Sequence, residues 1–384
     1  MLTLYTVYWS GGVSMEVPLS GPDITEKEIN AVVEVLRSGV LSIGPRLEEF
    51  ENKIATFVGV KHAIGVNSGT SGLHLAVRAL GISDGDEVIT TPFSFIASSN
   101  CILFERATPV FVDIDPLTLN IDVERIESAI TPRTKALLPV DAFGQPVDIE
   151  AIKRIAAKYD LPIIEDACEA LGAEFDGIKA GSQADIAVFA FYPNKQITTA
   201  EGGMVVTNDD HIADLVRSMR SQGRPITGLW LEHERLGYNY RMSELHAALG
   251  CVQMDRIDEI VRKRQRVAET YNSRLSEVEE VSVPYVDPRV KMSWFIYVVR
   301  FHASVNRDKV MEYLIEHGVG CKPYFTPIHL QPFYREMGFN EGDFPITESV
   351  AKTTLALPFF SNMTEEQIDY VVKTLKEGIA KAKS

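Results

Sequence analysis

The sequence predicts an α/β fold, and three observations lead to it. Between about residues 62 and 209, short apolar runs alternate with stretches of helical periodicity. Those runs are apolar almost throughout, as strands covered on both faces must be. After Met242 the texture changes to a long charged helical stretch, followed by a shorter mixture of strand and helix. A chain of 384 residues is too long for one small core and suits a large domain plus a smaller one. The reading is an irregular extension over 1–17, a large domain over 18–255 and a small one over 256–384.

The elements follow in order. His62–Val66 reads as a strand and Thr70–Leu80 as a helix, with Leu73, Val77 and Leu80 on one face. Asp86–Thr90 and Pro109–Asp113 read as strands, with a helix near Val123–Ile130. Ala136–Val140 is a strand. Ile149–Tyr159 is helical, because Ile149, Ile152, Ile155, Ala156 and Tyr159 recur at helix spacing. Leu161–Ile164, Ile186–Phe191 and Gly203–Thr207 complete the strands of this part. Met242 to about Val278 reads as a long helical stretch with room for a break. A strand (Trp294–Phe301), a helix (Arg307–His317), a proline-rich segment (Lys322–Pro332) and a last helix (Glu365–Ala382) follow.

Composition excludes several classes of protein. The chain is 45% apolar and 24% charged, without a run of 18 apolar residues or the marks of a secretory leader, so the expected location is the cytoplasm. A formal charge of −15 opposes nucleic acid and anionic membrane as partners, though it leaves room for a locally basic pocket. The four cysteines, Cys101, Cys168, Cys251 and Cys321, are scattered and suggest packed thiols, with neither a disulfide frame nor a metal site.

Three segments carry chemistry. Asn67-Ser68-Gly69-Thr70-Ser71-Gly72 lies between a strand and a helix, where backbone amides and the helix N-terminus favour an anion. It matches neither the dinucleotide nor the Walker pattern, and taken alone it reads as an ordinary Gly/Ser turn capping a helix. Ile163-Ile164-Glu165-Asp166-Ala167 is a buried strand ending in carboxylates, at the end of a sheet where ligands sit. A carboxylate there can keep a ring nitrogen protonated; equally it could be an N-cap. Phe191–Gly203 places Lys195 in a turn after a strand. A lone loop lysine is a solvated charge, but beside a buried carboxylate and an anion cradle it can form an imine with a carbonyl cofactor.

The whole set resembles the DegT/DnrJ/EryC1/StrS family of sugar aminotransferases. The resemblance runs from about Val17 to the last helix. It rests on Ser38–Pro45 with Phe50-Glu51, Gly69–Leu75, Glu165-Asp166-Ala167, Asn194-Lys195 with Glu201-Gly202-Gly203, Gly237–Met242, and His329-Leu330-Gln331-Pro332. It implies a fold type I pyridoxal-phosphate transferase, with a large three-layer domain around a mostly parallel mixed sheet and a smaller C-terminal α/β domain. Pyridoxal 5'-phosphate would be the cofactor and Lys195 its Schiff-base lysine and proton shuttle, with Asp166 on the pyridine nitrogen. Gly69, Thr70 and Ser71 would bind the phosphate, Phe95 would stack on the ring and Glu169 would lie beside it. Asn239 would reach the phosphate of a neighbouring subunit, making a homodimer with shared active sites. Arg241 and His329 match positions near the sugar.

The resemblance implies transfer of an amino group from L-glutamate to a nucleotide-linked keto-sugar. The Phe191-Tyr192-x-Asn194-Lys195 form is similar to perosamine-synthase-like members acting on a 4-keto-6-deoxyhexose. Alternatives are a cyclitol or 3-keto sugar as acceptor, or a regulator that keeps the cofactor without turnover. Two positions depart from the family pattern: Ala190 stands where many relatives have a phosphate-binding serine, and Ala200 where a glycine is common.

Overall fold

A computed structural model describes residues 15–225 and 231–383. The extension expected over residues 1–17 lies, up to residue 14, outside the described residues; Val17 is buried and bridges Val319. The first helix, α1 (Glu26–Ser38), begins with a capping box in which Thr25 and Glu28 satisfy each other's end groups, and it stops at Gly39 with φ +72°. Proline opens α2 (Pro45–Val58), where its missing N–H costs nothing. That helix buries Leu47, Phe50, Ile54 and Val58.

The alternation read between residues 62 and 209 is present. It comprises β1 (His62–Val66), α3 (Gly69–Ala79), β2 (Glu87–Thr90), α4 (Ala97–Phe104), β3 (Thr108–Phe111), α5 (Val123–Ala129), β4 (Thr134–Leu137), α6 (Ile149–Tyr159) and β5 (Ile164–Asp166). The hairpin β6 (Glu174–Phe175) and β7 (Ile178–Lys179) follows, then β8 (Ile186–Ala190), β9 (Gly203–Thr207) and α7 (Asp210–Arg220). One group of strands runs β1-β9-β8-β5 and another β3-β2-β4. Parallel bridges Leu137↔Ile163 and Val140↔Asp166 join β4 to β5, so the two form one layer. Within it only β9 is antiparallel to its neighbours β1 and β8. A mostly parallel mixed sheet covered by helices is therefore what the chain builds.

Two strands differ from their sequence-based ranges for one reason. Ala136–Val140 was expected, but the strand ends at Leu137, ahead of Pro139, which has no N–H for a ladder. Leu161–Ile164 was expected, but Pro162 lies in the loop and the paired residues are Ile164–Asp166, in register with Ile186–Val188. The shift puts the acidic residues inside the strand's end. Helix α4 escaped the sequence reading because its eight residues, ASSNCILF, show no apolar stripe and are mostly buried.

The long helical stretch is two helices, α8 (Glu244–Asp255) and α9 (Ile257–Leu275), broken at Arg256. The break lets the Arg256 guanidinium, itself buried, bind Asp23 at 3.0 Å and Glu28 at 2.6 Å. In α8, Gly250 accommodates the Phe50 ring, which a Cβ there would meet at 2.7 Å. Beyond come β10 (Val281–Ser282), β11 (Val290–Lys291), β12 (Tyr297–Phe301), α10 (Arg307–Glu316), α11 (Pro332–Glu336), α12 (Pro345–Thr353), β13 (Thr354–Leu357) and α13 (Glu365–Lys383). Strands β10-β12-β13 form an antiparallel sheet over a core that includes Tyr271, Tyr297, Leu357 and Leu375. The strand expected from Trp294 starts only at Tyr297, because the carbonyls of Trp294 and Phe295 are taken by Arg264. No helix among the described residues is long and apolar enough to cross a membrane.

Candidate active site

The C-terminal ends of β1, β5 and β8 face one region, and each delivers a predicted residue. After Val66 the chain turns through Asn67 into α3. The Ser68 hydroxyl accepts from the Ser71 amide at 3.1 Å, and Ser71 Oγ donates to Asn67 Oδ1 at 2.7 Å. The amides of Gly69 and Thr70, first in the helix, and the Thr70 hydroxyl are left without a partner among the described residues, at the positive end of the dipole. Ser71, expected as a third donor, has its amide and hydroxyl engaged within the turn, so it holds the cradle's shape. A Cβ on Gly69 would lie 2.7 Å from Ala190 Cβ and 3.2 Å from Cys168 Sγ; one on Gly203 would lie 2.6 Å from Ser68 O. Only glycines admit this approach of β5, β8 and β9 to the cradle.

At the end of β5, Asp166 is buried and accepts Ser98 Oγ at 2.7 Å and the Cys168 amide at 3.2 Å. Ser98 lies 2.7 Å from Ser94 Oγ, so two hydroxyls in series orient the carboxylate. The sequence reading passed over this serine pair; its i, i+4 spacing around Phe95 was the available signal. Phe95 is 62% exposed, an aromatic face left open at the start of α4.

Lys195 follows β8. Its Nζ lies 3.3 Å from Glu169 Oε1 and 3.8 Å from the Phe295 ring centroid. The other Glu169 oxygen accepts the Phe143 amide at 2.9 Å. Burial pushes the Glu169 carboxyl above the usual carboxylate range, and the neighbouring Lys195 charge opposes that rise. Cys168, against Gly69, senses both Asp166 and Lys195, and its thiol is pushed well up, mainly by burial. The lysine turn is held from behind by Arg264, a buried cation that donates to Asn194 O at 3.2 Å, Trp294 O at 2.7 Å and Phe295 O at 2.8 Å.

Past the lysine, Ala200 adopts φ +68°, the left-handed region, at the position where the sequence comparison noted a missing glycine. An L-residue there costs about 1 kcal/mol relative to glycine. Ala200→Gly is therefore expected to stabilise the protein by roughly 1 kcal/mol, read as a higher midpoint in chemical denaturation; a lower midpoint would contradict it.

The remaining predicted residues flank this group. Asn239 is exposed, its side chain makes no hydrogen bond among the described residues, and its carbonyl accepts Asn67 Nδ2 at 3.3 Å. Ser243, not Asn239, caps α8 by accepting the His246 amide at 3.3 Å. Tyr238 and Tyr240 stack at 4.9 Å on either side of Asn239, and Tyr240 is tied to His74 of α3 at 3.0 Å. Arg241 bridges Val66 and keeps a buried Nη1 without a partner. His329 is fully enclosed, 3.0 Å from Glu348 Oε1, in a turn anchored by the Ile328 amide to Pro92 O at 2.8 Å. It thus sits behind the Phe95 loop and not on an open face. Among the described residues no group of three or more His, Cys, Asp or Glu could hold a metal ion.

Comparisons with known proteins agree along nearly the full length. The profile of the DegT/DnrJ/EryC1/StrS aminotransferase family matches residues 22–376. The chain is 40% identical over 366 residues to GDP-perosamine synthase of Caulobacter vibrioides, covering 94% of this chain and 98% of that protein. It is 38% identical over 375 residues to the spore coat polysaccharide biosynthesis protein SpsC of Bacillus subtilis, covering 94% and 96%. Among solved structures it is similar to PseC of Helicobacter pylori, an aminotransferase involved in the biosynthesis of pseudoaminic acid, with a TM-score of 0.92, 31% identity, and 96% and 100% of the two chains covered.

Proposed function

The chain belongs to the DegT/DnrJ/EryC1/StrS aminotransferase family, and from that membership we propose that it moves the amino group of L-glutamate onto a nucleotide-linked 4-keto-6-deoxyhexose. It is a pyridoxal-phosphate-dependent aminotransferase of fold type I. What supports the rest is one observation: an amine, a buried carboxylate and an anion cradle with free donors converge at one end of the sheet.

The residues fit the cofactor. The free amides of Gly69 and Thr70 suit a phosphate. The Asp166 carboxylate, held by Ser98 and the Cys168 amide, suits a protonated ring nitrogen, and Phe95 offers an open aromatic face. When bound, the cofactor supplies an aldehyde that condenses with amines and a ring that accepts an electron pair. Lys195 Nζ is the amine in this group. As a neutral amine it would take the proton from the donor's α-carbon and return one to the acceptor in the second half-reaction. Glu169, 3.3 Å away, orients that amine. Donor and acceptor use one site in turn, so the kinetics are ping-pong.

The test is a two-stage assay. With L-glutamate alone the holoenzyme should release 2-oxoglutarate stoichiometrically; it should then aminate a nucleotide-linked 4-keto-6-deoxyhexose. Amination confined to 3-keto sugars or cyclitol ketones would replace the proposed acceptor.

We read the enzyme as a cytoplasmic homodimer with shared sites. The exposed, unpartnered Asn239 side chain beside the cradle supports this, as does the loss of its rival role as a helix cap. A hydrogen bond to a charged group is worth about 1.5–3 kcal/mol, so Asn239→Ala is expected to weaken cofactor binding roughly ten- to a hundredfold. Mixing Lys195→Ala with an inactive Asn239 variant should restore part of the activity, because one site in the mixed dimer carries neither lesion. No recovery under proven subunit exchange would mean each chain builds its own site.

A further inference from the structure

Behind the site, on the other side of β5 from Asp166, a second pair of carboxyl groups is closed off from water. Glu165 and Asp141 are both buried. One oxygen of each accepts a backbone amide: Glu165 Oε1 from Gly181 at 2.8 Å, and Asp141 Oδ1 from Val147 at 2.9 Å. The other oxygens, Glu165 Oε2 and Asp141 Oδ2, have no donor. The two side chains lie within hydrogen-bonding reach of each other. Two buried unpartnered acceptors facing each other are costly, and two desolvated carboxylates repel; a single proton between them removes both penalties.

From this we infer that Asp141 and Glu165 share one proton, and that the resulting bond positions Glu169 and Asp166 from behind. The mechanical link is short. The turn that starts at Asp141 donates the Phe143 amide to Glu169 Oε2 at 2.9 Å, and the Asp141 amide to Asp166 O at 3.1 Å. Glu165 precedes Asp166 in β5. The proton therefore ties the turn to the strand at the point where both hold site residues. The existence of the pair is independent of the catalytic reading; its effect on Glu169 rests on that reading.

The charged surroundings favour keeping the proton. Asp166 adds negative potential to both groups. In the small cavity beside Glu165 the one lining cation, Lys179, has its ammonium turned to Phe57 O and over the Phe57 ring. Burial, then the charge of Glu165 and Asp166, pushes Asp141 well up; burial pushes Glu165 up to about 7, with Asp166 adding to the rise and the Gly181 amide and the bond to Asp141 opposing it. Both folded values lie above the unfolded ones. The contribution to stability is thus complete below the unfolded carboxylate range and is lost as pH rises through the folded values, beginning near neutrality with Glu165.

The experiment compares the full-length wild type with Glu165→Gln, Asp141→Asn and Glu165→Ala, each with and without pyridoxal phosphate, between pH 5.5 and 8.5. The wild-type unfolding midpoint should fall by several degrees more than that of either amide variant across this range, because an amide donates to the remaining carboxylate without titrating. Glu165→Ala, with no donor, should unfold earlier at every pH. Cofactor release from the holoenzyme, followed by its visible absorbance, should accelerate severalfold above pH 7.5 in the wild type and not in Glu165→Gln. Amide variants as steep as wild type, or as weak as Glu165→Ala, would overturn the shared proton. A midpoint that shifts without any change in cofactor release would overturn the positioning role while leaving the aminotransferase assignment untouched.

Discussion

Replacing Lys195 by alanine is expected to remove turnover by more than about 10⁴-fold and to abolish the visible absorbance of the bound cofactor, while the protein stays folded. The side chain is the amine held between Glu169 and the Phe295 ring, so the covalent attachment and proton transfer proposed for it would be lost together. Folding should survive because the lesion is small and the carboxyl left behind can adapt. Burial already drives Glu169 towards its neutral form, and the Lys195 charge is what opposes it. Without the lysine, Glu169 keeps its proton to higher pH and its other oxygen still accepts the Phe143 amide. A coloured, borohydride-reducible adduct persisting in Lys195→Ala would remove the assignment; loss of far-ultraviolet dichroism would mean that the residue is structural.

Asp166→Asn should separate binding from chemistry. The cradle amides of Gly69 and Thr70 are untouched, so the cofactor remains bound. An amide has no charge with which to hold a ring nitrogen protonated, and its NH₂ must face one of two donors, Ser98 Oγ or the Cys168 amide. Losing one member of a buried charge pair costs about 3–5 kcal/mol, so proton abstraction should slow roughly 10²- to 10⁴-fold with little change in cofactor affinity. Single-turnover kinetics with L-glutamate measure that step directly. A near-wild-type rate would mean that another acid serves the ring nitrogen.

The alternation of strands and helices was legible because buried parallel strands are continuous apolar runs and the covering helices keep a stripe. The cradle, Asp166 and Lys195 were legible because each sits at a strand end. Elements whose signals cancel were not. Helix α4 is mostly buried and carries no apolar stripe, β4 and β5 are displaced by Pro139 and Pro162, and β13 with α12 escaped notice altogether. In the site, Arg264 went unnoticed because an arginine holding carbonyls leaves no pattern in one sequence, and Ser98 because its i, i+4 spacing from Ser94 does not by itself point to the carboxylate it meets. The burial of His329 against Glu348 depends on a contact the sequence cannot display.

The order of the strands also decides when the site can come into being during synthesis. Strand β1, which carries the cradle, pairs with β9 and not with β2, its successor along the chain. Until the ribosome has released the chain through Thr207, β1 has no strand partner, and the turn at Asn67–Gly72 lacks the Gly203 backbone that packs against Ser68. Asp166 and Lys195 have then already emerged, so the three parts of the site close in one late step. Loop closure over so long a separation is slow, and the apolar edge of β1 stays open meanwhile. A nascent chain halted before β9 would expose that edge, so for this protein the interval of aggregation risk ends as the catalytic end of the sheet is assembled.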